Sequence, residues 1–172
     1  MSEAKVPPTE RIVSAFKELP VVTNECNIAH AELRDHAIAP LETALVSLNL
    51  VVSAWHRFAK GEDENGNYWT RDIGYLKLGD EWRIALRRTW GNENYDHHQE
   101  EVWAFKDAPR WLCIESIAKL PDLFEELVKR TKETTEKLRA RTAQAKELAA
   151  AIAAVLPEPT PAPVEKAKGA KK

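Results

Sequence analysis

Apolar residues recur at helical spacing in the first forty residues. A helix is predicted over Glu10–Leu19, because its apolar residues share one face: Ile12, Val13, Phe16 and Leu19. Thr9 suits its N-cap, and Pro20 is expected to stop it. A second helical stretch is predicted to begin after Asn24. Pro40 either kinks that helix or opens a new one.

From Pro40 to Lys60 the apolar spacing alternates between three and four residues. The positions are Ile38, Leu41, Leu45, Leu48, Val52, Trp55 and Ala59. This heptad pattern predicts a central helix that packs against a partner helix. Gly61 suits the position just beyond its end.

The apolar period changes to two in the middle of the chain. A strand is predicted over Trp82–Trp90, with one face carrying Trp82, Ile84, Leu86, Arg88 and Trp90. Tyr68–Leu78 is predicted as the preceding strand, with Gly74 marking a bulge and Gly79–Asp80 a hairpin turn. Glu101–Phe105 is predicted as a third strand. The expected product is a three-stranded antiparallel meander.

Helical spacing returns near Asp107, which suits the N-cap of a helix over Ala108–Leu120. A long helix is then predicted over Asp122–Leu156, packed antiparallel on the central helix. It would be about 50 Å long against about 30 Å for the central helix. Its later apolar residues would therefore lack cover unless the N-terminal helices fold back over them. These residues are Leu138, Leu148, Ile152 and Val155.

The predicted architecture is a single α+β domain over residues 9–156. Residues 1–8 are expected to be a flexible N-terminus. Residues 157–172 are rich in proline, alanine and lysine, and this composition predicts a disordered tail.

Composition narrows the class of protein. The chain has 172 residues, of which 44% are hydrophobic and 30% charged. It contains no apolar run long enough to span a membrane and no secretory leader, so we expect a cytoplasmic protein without a membrane partner. Two cysteines argue against a disulfide scaffold. A net charge of −2 argues against a uniformly basic nucleic-acid binder.

Catalytic and metal motifs are weak in this sequence. No nucleophile elbow, P-loop, dinucleotide fingerprint or zinc-protease motif occurs, so we predict neither enzymatic activity nor a cofactor. Cys26 and His30 lie one helical turn apart, which gives only half of a metal site. His97 and His98 are adjacent, and neighbouring residues of a strand point to opposite faces. We therefore predict no metal site.

Tryptophan and arginine supply the candidate binding chemistry. Three of the six tryptophans lie near the ends of predicted elements and are candidates for exposure: Trp69, Trp90 and Trp111. The sequence leaves open whether the tryptophans form core or a binding face. Arg83, Arg87 and Arg88, together with aromatic neighbours, are candidates for nucleic-acid contact.

The favoured function is that of a non-enzymatic interaction and assembly protein. It would bind a protein partner through its tryptophan-rich meander and its long C-terminal helix. We also expect it to form a homo-oligomer through that helix. The partner-binding candidates are Trp69, Trp90, Trp111, Leu138, Leu148 and Ile152. The alternative is a nucleic-acid-binding accessory protein that uses Arg83, Arg87, Arg88 and the basic tail.

Overall fold

The computed structural model describes residues 7–94 and 97–155, without the side chain of His97. The helices are α1 (Pro8–Glu32), α2 (Ala39–Ser47), α3 (Arg110–Ser116) and α4 (Leu120–Val155). The strands are β1 (Ala54–Glu62), β2 (Asn67–Leu78), β3 (Glu81–Asn92) and β4 (His97–Ala104). The α+β class is therefore confirmed. The chain divides into two compact units, the first ending at Lys132 and the second beginning at Glu133.

The strands form one antiparallel sheet in the order β1-β2-β3-β4. The β2–β3 hairpin turns at Gly79–Asp80, as the sequence predicts, and Gly79 has a φ of 62°. A glycine with positive φ at the first turn position is typical of a type II′ turn. The prediction that Ile84 and Leu86 share the apolar face of β3 is also confirmed. On the buried face of the sheet, Ile84 pairs with Tyr75 and Leu86 with Ile73.

The predicted number of strands is wrong because the central helix ends early. Helix α2 stops at Ser47, and Asn49 adopts a left-handed φ of 51°. The backbone N–H of Leu50 then donates to the carbonyl of Leu45 at 3.5 Å, and that of Asn49 to Val46 at 2.9 Å. These two bonds form a Schellman cap. Residues 54–60 of the predicted helix, Pro40–Lys60, therefore belong to strand β1. The helix that the sequence predicts as the partner of the C-terminal helix ends at Ser47.

Pro20 does not end the first helix as predicted, whereas Pro40 lies in the first turn of α2, close to one of the two alternatives that the sequence leaves open. Pro20 lies inside α1, where it is exposed, so water can satisfy the carbonyl of Phe16 that loses its donor. Before Pro40 the helix widens into a π-helical segment, Leu33–Ile38. A wider turn there removes the clash that a proline ring makes with the preceding turn.

The bulge predicted at Gly74 occurs elsewhere. Gly74 pairs in register with Trp55 and Ala85, and the irregularity lies on β1 between Arg57 and Ala59. Gly74 has another role, because the indole of Trp55 packs on its backbone.

The core lies between the sheet and the helices of the first unit. Its fully buried members include Ile73, Tyr75, Ile84, Leu86, Phe105, Leu112, Cys113 and Leu123. Helix α3 begins at Arg110 rather than at the predicted Ala108, because Phe105–Asp107 forms a separate 3-10 turn. Helix α4 begins two residues before the predicted Asp122 and contributes Leu123 and Leu127 to the core. The terminal segments predicted to be flexible or disordered fall outside the described residues, apart from Pro7 and Pro8.

Candidate interaction surface

Two tryptophans and two arginines form a block on one face of the sheet. Trp69 pairs in register with Trp90, and Arg71 pairs with Arg88. Because residues two apart on a strand share a face, all four side chains lie on the same side of β2 and β3. Helix α3 adds Trp111. We call these five residues the Trp–Arg cluster.

Cation–π contacts and the pairing of β2 with β3 hold the Trp–Arg cluster together. The guanidinium carbon of Arg71 lies 4.5 Å from the ring centroid of Trp69 and 4.7 Å from that of Trp111. The guanidinium of Arg88 lies 4.9 Å from the ring of Trp90. Arg71 also donates to the carboxylate of Glu115 on α3. Arg71 is therefore fixed from several sides, and Arg88 remains exposed.

A groove of about 780 Å³ opens beside the cluster, at the end of the sheet that holds the β1–β2 turn. Its lining residues are Gly61, Glu62, Asp63, Asn67, Tyr68, Trp69, Arg88, Trp90, Gly91, Asn92 and Gln99. Glu62 and Asp63 outnumber the single lining cation, Arg88. The groove is therefore aromatic with a weakly acidic rim.

The β1–β2 turn that borders the groove is fixed by side chains. One carboxylate oxygen of Asp63 accepts from the backbone N–H groups of Asn65 at 2.9 Å and Asn67 at 3.0 Å. The side chain of Asn67 donates to its other oxygen at 2.8 Å. These bonds, led by the Asn67 side chain, hold the pKa of Asp63 below its ordinary value. The rim of the groove is therefore preformed.

The three arginines of the nucleic-acid hypothesis do not share a surface. Arg88 lies in the Trp–Arg cluster, whereas Arg83 and Arg87 project from the opposite face of β3. Arg83 is paired with Glu81 and with Glu42. Arg87 contacts Asp72 at 3.2 Å and Glu100 at 3.4 Å, and its guanidinium lies 4.4 Å from the ring of Trp55. Carboxylates thus already pair with two of the three cations.

Asp72 is a site residue that sequence reasoning missed. It is only 2% exposed, although it lies on the sheet face opposite the core. Arg57 and Arg87 each contact a carboxylate oxygen of Asp72 at 3.2 Å. The signal was present in the sequence, because a two-residue turn at Gly79–Asp80 places Asp72 directly opposite Arg87.

The tryptophans divide between core margin and surface, and none is fully buried. Trp82 and Trp103 pack against the core, and Trp82 stacks on Tyr75 with 5.3 Å between ring centroids. Trp69 and Trp90 are half-buried in the cluster, and Trp111 is 40% exposed. The three tryptophans chosen from the sequence are thus brought together.

The helical candidates belong to the second compact unit. Leu138, Leu148 and Ile152 on α4 are exposed to 62%, 60% and 60%. A shallow apolar hollow of about 400 Å³ is lined by Leu148, Ala151, Ile152 and Val155.

Among the described side chains, the metal candidates gain no further donors. Within residues 7–94 and 97–155, no three His, Cys, Asp or Glu side chains are placed to hold an ion. Cys26 is exposed and contacts Arg110, and the Nδ1 of His98 lies 2.8 Å from the hydroxyl of Tyr68. Burial raises the pKa of the Cys113 thiol. Tyr95, Asp96 and the side chain of His97 lie outside the described part of the chain.

No helix in the described ranges is long and apolar enough to cross a membrane. No protein-family model, no curated protein and no solved structure matches the chain. The chemistry of the surface therefore carries the functional argument.

Proposed function

We propose that the chain is a non-enzymatic interaction and assembly protein. It binds a protein partner at the Trp–Arg cluster and the adjoining groove, and it assembles through the exposed face of α4. The observation that carries the proposal is the cluster itself, which lies beside a preformed groove. Arg71 joins Trp69 to Trp111, and Trp90, which carries Arg88, is the registered neighbour of Trp69.

The composition of the cluster supports a protein partner. Tryptophan and arginine are the residues most enriched among binding hot spots, where a few anchored side chains supply most of the binding free energy. Arg71 is held by two indoles and Glu115, so little side-chain entropy remains to be lost when a partner binds. The cluster is thus a preorganised surface.

Nucleic acid is the second candidate, because Arg88 is exposed over Trp90, an arrangement suited to stacked bases. Two observations weigh against it. The groove has an acidic rim of Glu62 and Asp63, and carboxylates already pair with Arg83 and Arg87. A phosphate backbone needs unpaired cations, which release counterions when it binds.

The test is quantitative affinity capture from the native host with the full chain, run with and without nuclease. Trp111→Ala and Arg88→Glu should each lower recovery of the main protein partner at least tenfold. Leu48→Ala is a matched control, because Leu48 is 75% exposed and lies on α2's C-terminal end, away from the cluster residues in sequence. It should leave recovery unchanged.

Two outcomes would contradict the proposal. Loss of the partners after nuclease treatment would favour the nucleic-acid alternative. Equal recovery by the wild-type chain, Trp111→Ala and Arg88→Glu would show that the cluster is structural only.

A further inference from the structure

The distal part of α4 exposes a stripe of regularly spaced side chains, which we call the distal stripe. It consists of Leu138, Arg141, Ala145, Leu148, Ile152 and Val155. We propose that the distal stripe is the interface of a symmetric, antiparallel helix pair formed with a second copy of the chain. This inference deepens the assembly half of the proposed function and rests on it.

The exposure of the stripe identifies it as a surface available for interaction. Its large apolar members are between 60% and 84% exposed, whereas Leu123 and Leu127 of the same helix are buried. Contiguous apolar surface of this kind marks an interaction site on a protein in water.

The shape of the stripe matches a facing helix. The apolar hollow on α4 is lined by Leu148, Ala151, Ile152 and Val155. These residues stand at the first, fourth, fifth and eighth positions of two helical turns. Four residues at this spacing form the hole that receives one side chain in a knobs-into-holes interface.

The spacing of the stripe allows a two-fold antiparallel arrangement. Its steps are three, four, three, four and three residues, so the stripe has the same spacing in both chain directions. In an antiparallel pair Leu138 lies opposite the second copy's Val155, and Ala145 lies opposite its Leu148. All six positions then meet a counterpart, and the two copies use the same surface, as two-fold symmetry requires.

Charge discriminates between the two directions. A parallel pair would place Arg141 against Arg141 of the second copy inside the seam, where like charges repel at short range. The antiparallel pair places Arg141 opposite Ile152 instead. The aliphatic stem of Arg141 can pack there while its guanidinium reaches water. In the structure this guanidinium already lies along the helix surface, donating to Gln144 at 2.9 Å.

Cysteine cross-linking of the full-length chain tests the direction and register. The variants Leu138→Cys and Val155→Cys are each made in a Cys26→Ser background, since Cys26 is exposed and Cys113 is buried. We expect an equimolar mixture of the two variants to form a disulfide between them on mild oxidation. Each variant alone should form at least tenfold less, because two Val155 residues would then be about 25 Å apart, beyond disulfide reach.

Light scattering tests the existence of the pair independently. We expect a mass of twice the 19.5 kDa chain at micromolar concentrations. Leu148→Asp combined with Ile152→Asp should reduce it to that of one chain, with unchanged circular dichroism. Ala143→Asp combined with Ala150→Asp adds the same charge on the opposite side of α4 and should leave the dimer intact.

The contrary results are distinct. A single-chain mass at all micromolar concentrations, or a dimer unaffected by Leu148→Asp with Ile152→Asp, would refute the interface. A disulfide between two copies of Val155→Cys would refute the antiparallel direction. A disulfide that forms between Leu138→Cys and Leu148→Cys in preference to Leu138→Cys and Val155→Cys would refute the register. The two proposals can fail separately. If Trp111→Ala loses partner capture while the wild-type chain has a single-chain mass, the partner-binding proposal stands and only the pairing with a second copy is rejected.

Discussion

The indole of Trp55 on β1 lies directly on the backbone of Gly74, its registered neighbour on β2. A Cβ atom at position 74 would stand 2.3 Å from Cε3 of Trp55. Gly61 on β1 and Trp69 on β2 pair in the same way on the other face of the two strands. A Cβ atom at position 61 would stand 2.6 Å from the indole of Trp69. Both glycines therefore make room for tryptophans rather than forming turns.

We expect Gly74→Ala to destabilise the fold by about 1–3 kcal/mol, the usual cost of overpacking. The added methyl group must displace Trp55 or bend the strand. Urea denaturation measures the change. The same substitution in a Trp55→Ala background should cost less, because the ring is gone and the backbone carbonyl of Ala54, 2.8 Å from the added Cβ, is the close contact that remains. If Gly74→Ala lowered the free energy of unfolding equally in both backgrounds, the Trp55 ring would not be the reason that position 74 requires glycine.

The buried carboxylate of Asp72 provides a second test. Asp72→Ala should lower the free energy of unfolding by about 2–3 kcal/mol, because it removes the buried carboxylate that pairs with Arg57 and Arg87 and leaves Arg87 with Glu100 as its one carboxylate partner among the described residues. The Arg57 side chain is 54% exposed, so Arg57→Ala should cost less than about 1 kcal/mol despite the same 3.2 Å contact. Denaturation of the two variants side by side checks this contrast. Equal costs would contradict it.

The hairpin register could be derived from the sequence because it depends on local chemistry. A two-residue turn at Gly79–Asp80 fixes every pair of β2 and β3, including Trp69 with Trp90 and Arg71 with Arg88. The contact of Trp111 with Arg71 could not be derived in this way. It joins residues forty positions apart through the packing of α3 on the sheet, which no periodicity encodes.

The error over β1 has a local cause. Leu48, Val52, Trp55 and Ala59 have the spacing of a helix face, but Leu48 and Val52 lie in the connection between α2 and β1, and Trp55 and Ala59 lie in β1. A short apolar run does not discriminate strand from helix. The decisive signal was Asn49, which tolerates the left-handed conformation that ends α2.

Glu42 couples stability to pH. Burial raises the pKa of this carboxyl group, although its bond to the backbone N–H of Ile84 (2.8 Å) and the charge of Arg83 oppose the shift. A raised pKa means that the folded state binds the proton more tightly than the unfolded state. Stability from this group is therefore present below the ordinary pKa and is lost as the pH rises through the folded value.

We accordingly expect Glu42→Gln to gain stability relative to the wild-type chain as the pH rises from about 4 to 7, since glutamine keeps the acceptor without the charge. Glu42→Ala should instead destabilise the fold by about 1–3 kcal/mol, because it leaves the N–H of Ile84 unpaired. Thermal melts across this pH range check both variants. A pH-independent difference between wild type and Glu42→Gln would rule out the titration of Glu42 as the cause.

We expect substitution of Arg71 to lower mainly the stability of the fold, and substitution of Arg88 to lower mainly the affinity for a partner. Arg71 is held between Trp69 and Trp111 and paired with Glu115, so Arg71→Ala removes two cation–π contacts and an ion pair. We expect a loss of about 1–2 kcal/mol in unfolding free energy, and Arg71→Lys should restore only part of it, because lysine lacks a planar group to insert between the rings. Arg88 is exposed and stacks on Trp90 alone, so Arg88→Ala should cost less than about 1 kcal/mol. Its exposure leaves the Arg88 guanidinium accessible to a partner, and Arg88→Ala should therefore weaken partner binding at least tenfold while the melting temperature hardly changes.

Urea titrations and partner-binding isotherms on the same preparations separate the two effects. A large stability loss in Arg88→Ala, or wild-type binding by it, would mean that Arg88 serves the fold rather than the partner.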